Sequence, residues 1–543
     1  MIALLHHLMV VPVLVPLVVG AALLFLGEQR RARIALAVGS LIVQSLAAAT
    51  LLYLTTDSMP HMWTEGVGVY ALGAWPSPFG IVFVVDRLAA LMLVLTALIG
   101  FSALVYSLAY WDRVAPAFHS MLQFLLMGLN GAFLTGDLFN LFVFFEVLLA
   151  ASYGLLLHGA GAVRVKASLH YVTVNLVASF LFLVGIAMVY GITGTLNMAD
   201  LPGRIAQLDP GDRGLFGAGA AVLGGAFLIK AGVWPLNFWL PAAYTAASSP
   251  VGALFAMMTK VGVYAALRVG TLIASADVET SFIDVGLFYG GAATVVFGVV
   301  GTISAHQLGR IVSFSVITSS GIMFMALGLR LQSLTAPVML YLASSALATS
   351  AFFMLNGLAQ RTRNVPTREA ADVAPLPDVT YHGFGERPAD PLSPTDEVGF
   401  AIPAAMAFLG MAFVCCVLLV VGLPPLSGFL AKFALLRAAA GPNLLVDGAA
   451  YPATFCAALV ISGIAALVAF TRSGLRLFWS VSAQRTPRLR VIEVAPTSAL
   501  ILACLALVVA ADPVMTYLES AARSLHAPQV YVRVVADTTG ALP

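Results

Sequence analysis

Four ionisable side chains lie in segments that otherwise consist of apolar residues. Glu146 interrupts the run LFNLFVFFEVLLAASYG, and Lys230, Lys260 and Lys432 lie in AFLIKAGVW, AMMTKVGVY and SGFLAKFALL. Of the 27 basic residues only these three and Lys166, which lies in a basic loop, are lysines. Arginine stays protonated under almost all conditions, whereas a lysine removed from water can give up its proton near neutral pH. The pattern therefore predicts proton transfer between buried amines, with a carboxylate as their partner.

The segments that carry these charges are long enough to cross a membrane. The chain has 543 residues, 60% of them hydrophobic and 10% charged, with a mean hydropathy of +0.97. Runs of about 20 apolar residues recur along it, and each matches a ~30 Å hydrocarbon core. This composition excludes a soluble protein and predicts an all-α polytopic membrane protein with a single membrane domain, 1–543. Its fourteen spans are expected near 8–26, 34–55, 80–109, 118–135, 137–157, 169–191, 215–240, 250–272, 283–303, 310–330, 336–357, 398–438, 454–480 and 492–518.

Two of these spans are interrupted by proline. Pro235 breaks the seventh span in KAGVWPLNFWLP, and Pro424, Pro425 and Gly428 break the twelfth in GLPPLSGF. Proline removes a backbone donor and opens the preceding turn. Such a break persists in a bilayer only where neighbouring protein or water satisfies the freed carbonyls. The two breaks are five spans apart, which predicts two structural repeats of five helices around a central site.

The repeats divide the chain and leave a short segment at each end. Repeat one (helices 4–8) is expected over 118–275 and repeat two (helices 9–13) over 280–482, with a polar linker at 361–397 inside the second. Helices 1–3 occupy 1–117, and helix 14 with a C-terminal tail occupies 490–543. Lysine and arginine are concentrated in the loops after odd-numbered spans, and the loops after even-numbered spans contain Arg204, Arg213, Arg330 and Arg437. Because basic loops remain in the cytoplasm, both termini are expected outside and the linker inside.

The charges within the spans are expensive to bury. Each costs about 2.5–3.5 kcal/mol on insertion scales, so four cost on the order of 10 kcal/mol, comparable to the net stability of a domain. Mutual pairing or internal water must offset this cost. A single Glu–Lys pair could be purely architectural, but one carboxylate with three lysines on four helices, two of them broken, favours transport.

The position of Lys230 indicates how a proton could be released. Lys230 lies five residues before Pro235, in the last turn of a half-helix, where the helix C-terminus stabilises an ammonium group. Glu146 nearby would keep the proton on Lys230, and withdrawal of Glu146 would let it leave. Lys260 could then receive the proton, and Lys432 could pass it towards one membrane face through water.

Two further residues are weaker candidates. Asp137 could transfer protons, but its place at the start of the fifth helix favours a helix cap. His306 could relay a proton near its ordinary titration range, and it fits a loop position before the tenth helix equally well. The cysteines lie in apolar segments without metal-ligand spacing and are interpreted as small buried hydrophobes. The sequence predicts no cofactor and identifies no Na+ site or other metal site.

With these residues identified, three motifs carry a resemblance to a known family. FLTGDLFNLFVFFEVLLAASY (133–153), KAGVWPLNFWLPAAYTAASSPV (230–251) and GLPPLSGFLAKF (422–433) resemble the antiporter-type subunits shared by respiratory complex I and the Mrp-type multisubunit Na+/H+ antiporters. The first and third are most similar to the D-type subunit of the Mrp antiporters, also called PhaD. The resemblance covers nearly the whole chain and implies fourteen helices with two inverted five-helix repeats. It also implies that Glu146 and the three buried lysines match the proton-transfer positions of the family.

One departure from the family concerns the link between the two halves. The family often carries an Asp and a Lys-Arg pair entering the tenth helix, followed by ISQ or ISH. HQLGRIVSFSVITSSG has Gln307, Gly309 and Ser319 at these places, so the link would run through His306, serines or water. The resemblance further implies a bacterial cell membrane with its lipids, and other Mrp subunits (A, B, C, E, F and G) as partners.

Three hypotheses follow. The leading one is a proton-translocating subunit that exchanges external H+ for cytoplasmic Na+, which makes the chain part of a secondary transporter and not an enzyme. The second is a proton-pumping subunit of a complex I-like or membrane-hydrogenase assembly. The third is a passive scaffold subunit without proton flux of its own. None of the three involves nucleic acid.

Overall fold

A bundle of apolar helices forms the body of the protein in the computed structural model. The structure describes residues 6–27, 29–56, 63, 65–75, 80–114, 117–159, 161–276, 281–361, 404–441, 450–478 and 489–539. Twelve helices in these ranges are long and apolar enough to cross a membrane. The two shorter apolar helices, Val11–Phe25 and Phe118–Leu134, bring the total to the fourteen spans that the sequence predicts.

The helices follow one another along the chain in the expected order. The N-terminal helices are α1 (Val11–Phe25), α2 (Arg30–Leu54) and α3 (Arg87–Ser107). The next group is α4 (Phe118–Leu134), α5 (Leu138–Leu157), α6 (Ala162–Thr193), α7 (Leu201–Ala206), α8 (Pro210–Lys230), α9 (Trp239–Ala246) and α10 (Ser249–Ala274). The third group is α11 (Ser281–Ser304), α12 (Leu308–Gly328), α13 (Gln332–Arg361), α14 (Ala404–Val421), α15 (Ser427–Ala440) and α16 (Ala450–Phe478). The chain continues through α17 (Val491–Val509), α18 (Ala511–His526) and α19 (Gln529–Thr539).

Both broken spans are interrupted in the same way. The helices α8 and α14 are each followed by a glycine with positive φ, Gly232 at 73° and Gly422 at 84°. The residue after each glycine donates its N–H to the carbonyl five residues earlier, which is the Schellman form of helix end. A cis X–Pro bond follows at Pro235 and at Pro425, and a second half-helix, α9 or α15, then continues the span.

Gly428 differs from its expected role. It lies in the first turn of α15 and not within the break. A Cβ atom at this position would lie 1.8 Å from the carbonyl oxygen of Leu419 on α14. Only glycine therefore allows α15 to begin so close to the end of α14.

The ends of the spans form two faces with different composition. The C-terminal face contains α7, α18, α19 and an antiparallel hairpin of β1 (Gly68–Ala71) and β2 (Val82–Val85). The opposite, arginine-rich face is defined by Arg30, Arg164, Arg472, Arg476 and Arg490, whose side chains bond to loops and helix ends of the same face. The predicted linker 361–397 begins at the end of α13 and otherwise lies outside the described residues.

Two predicted spans extend well beyond the helices that the structure shows. The third span does not begin at residue 80, because β2 occupies Val82–Val85 and α3 starts only at Arg87. The carboxylate of Asp86 accepts the N–H of Ala89 at 2.9 Å and fixes this start. The sequence VFVV is apolar enough to continue a span, but β-branched residues favour the extended pairing with β1. The last span also ends earlier, at Val509, and the tail beyond it forms α18 and α19.

Candidate proton-transfer site

The first part of the site joins α5, α6 and α8. The ammonium of Lys230 lies 3.6 Å from Oε1 of Glu146 and donates to Oγ of Ser179 at 3.2 Å. The hydroxyl of Ser179 in turn donates to Oε1 of Glu146. Ser179 therefore bridges the ion pair, and a continuous row of hydrogen bonds runs from the amine to the carboxylate.

The two partners of this pair have different surroundings. The side chain of Lys230 is only 3% exposed, whereas that of Glu146 is 33% exposed. The ammonium also lies 5.0 Å from the ring centroid of Phe145, which stabilises a positive charge. The amine is thus enclosed by the protein, and the carboxylate is partly exposed at the edge of the bundle.

Lys260 occupies the centre of the bundle on α10. Its side chain is fully buried, and its ammonium donates to Oγ of Ser319 on α12 at 2.6 Å. Ser319 donates onward to the carbonyl of Val316 at 2.8 Å. No carboxylate within the described residues forms an ion pair with Lys260. A hydroxyl group is thus its hydrogen-bond partner.

A glycine brings α10 next to the end of α8. A Cβ atom on Gly262 would lie 2.7 Å from the carbonyl oxygen of Phe227 and 2.9 Å from the side chain of Ala231. Gly262 is two residues from Lys260, and Ala231 follows Lys230 directly. The two helices are therefore in tight contact next to the two lysines.

Lys432 lies beside the second break. Its ammonium donates to the carbonyls of Val421 at 2.7 Å and Val420 at 3.2 Å, in the last turn of α14. These carbonyls are the groups that a helix end leaves without intrahelical partners. The buried ammonium of Lys432 thus provides hydrogen-bond donors for the carbonyls that the break leaves unpaired.

A cavity lined by hydroxyl groups lies between Ser319 and Lys432. Its volume is about 30 Å³, and its polar lining includes Ser319, Thr318, Ser345, Ser462 and Lys432. A cavity of more than about 10–15 Å³ with several polar partners can hold a water molecule. The partner of Lys260 and the amine of Lys432 thus face one hydratable space.

The weaker candidates lie apart from this row. Asp137 accepts the N–H of Asn140 at 2.9 Å and caps α5, as the sequence favours. Burial raises the pKa of Asp137, although backbone N–H groups oppose the shift. His306 is exposed in the loop before α12, and its ring lies 3.3 Å from the guanidinium of Arg476. The structure does not bring His306 next to any of the buried lysines.

Of the two serines that contact the lysines, sequence reasoning missed Ser179 and identified Ser319 only as a departure from the family pattern. Ser179 and Ser319 lie in ordinary apolar helices, where serine is common and usually bonds to its own backbone. The substitution of Ser319 for the family's Gln or His was the only available signal, and it pointed to serines in general. Within the described residues, no group of three or more His, Cys, Asp or Glu side chains could hold a metal ion, and the cysteines are free.

Comparisons with known proteins agree with this geometry. The family model "NADH:quinone oxidoreductase/Mrp antiporter, TM" matches residues 135–379. A D-type subunit named for a "Probable K(+)/H(+) antiporter" of Rhizobium meliloti is 46% identical over 96% of both chains. The D-type subunit of the Na(+)/H(+) antiporter of Alkalihalophilus pseudofirmus is 32% identical over 98% of this chain and 99% of the relative.

Solved structures share the fold over the whole length. A chain of the Mrp complex from Dietzia sp. DQ12-45-1b matches with a TM-score of 0.80 and 25% identity, and covers 98% of this chain and 99% of its own. A chain of respiratory complex I from Thermus thermophilus matches with a TM-score of 0.71 and 23% identity, over 95% of this chain and 99% of its own.

The broken spans and the row of buried lysines lie in a fold shared with membrane subunits of an Mrp complex and of respiratory complex I, and together they define the class of antiporter-like membrane subunits. The curated relatives are named as antiporter subunits, which are components of transporters and not enzymes. Within that class, the full-length identities of 46% and 32% are to D-type antiporter subunits. The chain belongs to the D-type family of subunits in multisubunit cation/proton antiporters.

Proposed function

We propose that this chain conducts protons through Glu146, Lys230, Lys260 and Lys432 as one subunit of a monovalent cation/proton antiporter. The observation that carries the proposal is the burial of three amines whose partners are hydroxyls, carbonyls and one partly exposed carboxylate. Relatives named for Na+/H+ and K+/H+ exchange support a monovalent cation as the second ion.

The first step takes place at the Ser179 bridge. A proton passes from Lys230 to Oγ of Ser179 while the hydroxyl proton of Ser179 passes to Glu146, so the amine loses a proton, the carboxylate gains one and the serine is unchanged. In the reverse direction the same bridge reloads the amine. Movement of the exposed carboxylate away from Ser179 interrupts the bridge, and the proton on Lys230 can then leave only towards α10.

The second and third steps carry the proton across the bundle. Lys260 is the next amine, on the helix that Gly262 holds against the end of α8. From Lys260 the proton passes to Ser319 and then through water in the hydroxyl-lined cavity to Lys432. In this proposal, Ser319 and water connect the two halves of the protein, in place of the charged residues that the family often has at the start of the tenth helix. His306 has no part in this connection.

The setting follows from the relatives and from the two faces of the bundle. We infer that the chain lies in a bacterial plasma membrane together with other Mrp subunits (A, B, C, E, F and G), because a similar chain is found in an Mrp complex. The arginine-rich face would be cytoplasmic and the C-terminal face external, since basic loops remain inside. The shared geometry of the two breaks supports a repeat of five helices over 118–275 and 280–482.

Replacement of Lys230 tests the proposal. In the purified whole complex in vesicles, Lys230→Ala is expected to abolish cation-driven proton flux, while Lys166→Ala retains it. Lys166 is exposed near the start of α6, and not in a loop as the sequence had predicted. Both variants should assemble with the other subunits. Unchanged flux in an assembled Lys230→Ala complex would contradict proton conduction and leave the scaffold hypothesis.

The same measurement separates the antiporter from a complex I-like pump. An antiporter exchanges ions in vesicles that contain no electron donor, whereas a pump subunit needs its redox partner. Full-length identity to antiporter subunits favours the first outcome, because the likeness to complex I at 23% identity concerns the fold alone.

A further inference from the structure

One face of α10 connects the central lysine to a polar cavity at the C-terminal face. Lys260, Tyr264 and Arg268 follow one another at four-residue intervals, so their side chains lie above one another on the helix. All three are buried. The rise from Lys260 to Arg268 is about 12 Å, the height of eight helical residues.

The cavity begins where this face ends. Its volume is about 360 Å³, and its lining includes Arg268 and Thr271 of α10, Asp86 and Arg87, and Tyr531 of α19. Its polar lining and size are suited to water. The buried face of α10 therefore leads from Lys260 towards bulk solvent.

Arg268 and Tyr264 close this connection. The guanidinium of Arg268 bonds to Oδ1 of Asp86 at 2.6 Å, and both side chains are buried. The rings of Tyr264 and Tyr531 lie 5.7 and 5.4 Å from the guanidinium carbon, on the bundle side and on the cavity side. The hydroxyl of Tyr264 donates to the carbonyl of Phe133 at 2.7 Å. A fixed positive charge and an engaged hydroxyl thus separate Lys260 from the cavity.

We propose that this face of α10 is an access route between Lys260 and the water of the C-terminal face, with the Asp86–Arg268 ion pair as its gate. The inference rests on the proposed function, in which Lys260 carries a proton. A proton from the cavity binds to Asp86 and removes the attraction for Arg268. The guanidinium then turns into the cavity, and the proton passes from Asp86 through water and the Tyr264 hydroxyl to Lys260. The restored carboxylate recaptures Arg268 and closes the route.

The surroundings of Asp86 allow such a switch. The ionisable groups that face it are on four packed elements and around the cavity rim: Arg87, Tyr264, Arg268, Tyr517, Tyr531, Glu65 and Arg523. Asp86 also caps α3 through the N–H of Ala89, a role that asparagine fills equally well. The charge of Asp86 can therefore be removed without removal of the cap.

Removal of both charges is expected to open the gate permanently. The test uses the double variant Asp86→Asn/Arg268→Gln in the whole complex, reconstituted in vesicles. The medium contains N-methylglucamine and a permeant anion but no transported cation. Under these conditions an imposed pH gradient should collapse faster in the variant than in the wild type. Addition of Lys260→Ala should abolish this leak. The matched control is Asp284→Asn/Arg330→Gln, which neutralises another ion pair of the same face and should not leak. An intact gradient in the assembled double variant, or a leak that persists without Lys260, would overturn the proposal.

A milder pair of variants tests the route without a change of charge. Tyr264→Phe is expected to slow cation-driven proton flux on the order of tenfold or more, as loss of a relay group does. The control is Tyr244→Phe, which also removes a buried hydroxyl that donates to a backbone carbonyl, that of Phe255 at 2.6 Å. Tyr244 does not lie on this face of α10, so the variant should retain proton flux. Equal flux in both would exclude the Tyr264 hydroxyl from the route. The single variant Lys260→Ala tests the proposed function by itself, because it should abolish cation-driven proton flux whether or not the gate exists. If only the gate proposal is wrong, Lys260→Ala still loses flux but the double variant does not leak.

Discussion

At the scale of single residues, the site uses few ionic partners for its amines. Lys230 shares a carboxylate through a serine, Lys260 has a serine, and Lys432 has two backbone carbonyls. A carboxylate bonded directly to each amine would hold the protons too firmly for transfer. Hydroxyls and carbonyls stabilise an ammonium group in the bilayer without a compensating negative charge, so the charge can leave.

Ser179 provides a sharp test at this scale. Ser179→Ala removes the bridge between Lys230 and Glu146, and the lost bonds to charged groups are expected to slow proton flux by about tenfold or more. Ser179→Thr, which retains a hydroxyl, should restore most of the rate. Ser168→Ala, three turns earlier on α6, removes a buried hydroxyl that has no bonded partner among the described residues and should leave flux unchanged.

The second prediction concerns the need for deprotonation at Lys432. Lys432→Arg keeps a positive donor for the carbonyls of Val420 and Val421, so assembly should survive, but guanidinium does not release its proton. Proton flux measured in vesicles should therefore be lost, while Lys166→Arg remains active. Normal flux in Lys432→Arg would exclude proton release at this position.

Some of these residues could be predicted from the sequence and others could not. Glu146 and the three lysines were identified because a charge inside an apolar run needs an explanation of its own. Ser179 and Ser319 carry no such signal, since a serine is inexpensive to bury and gains its meaning only from the helix packed opposite. His306 had the right chemistry for a relay, but the path of the loop before α12 leaves it exposed beside Arg476.

At the scale of secondary-structure elements, the broken helices position the lysines. The half-helix α8 ends at Lys230, and α15 begins beside the end of α14, so each amine lies next to exposed backbone dipoles. The prolines made both breaks predictable. The hairpin and the early end of the last span were not. The residues VFVV are apolar enough to begin a span, and the residues after Val509 are helical, so the sequence does not show that they form a separate helix.

The close contact of α10 with α8 gives the third prediction. Gly262→Ala would place a methyl group 2.7 Å from the carbonyl of Phe227 and is expected to destabilise the protein by about 1–3 kcal/mol. Thermal unfolding of the purified complex measures the change, and proton flux should fall with it because the lysines move apart. Gly270→Ala on the same helix meets open space and serves as the control. Equal unfolding temperatures would show that the contact is not tight.

At the scale of the whole molecule, the two faces predict the orientation in the membrane. Alkaline phosphatase fused after Pro543 is expected to be active, since it folds only outside the cytoplasm, while a green fluorescent protein at the same place remains dark. A fusion within the linker 361–397 should show the reverse. Fluorescence at the C-terminus would invert the orientation and place the proposed gate on the cytoplasmic side.

The arginines of the arginine-rich face have a consequence beyond their charge. Arg472 donates to the carbonyls of Ile303 and Ala305, Arg490 to that of Ala109, and Arg164 to that of Ala246. Each of these arginines joins the end of one helix to a segment distant in sequence, and in the proposed orientation the same charges would hold this face in the cytoplasm during insertion. Lysine in their place would keep the positive charge, but its three N–H groups share one nitrogen and lack the planar fork of arginine, so the loops would be held less well. Contacts between helices far apart in sequence would then be weakened at the arginine-rich face and unchanged at the C-terminal face.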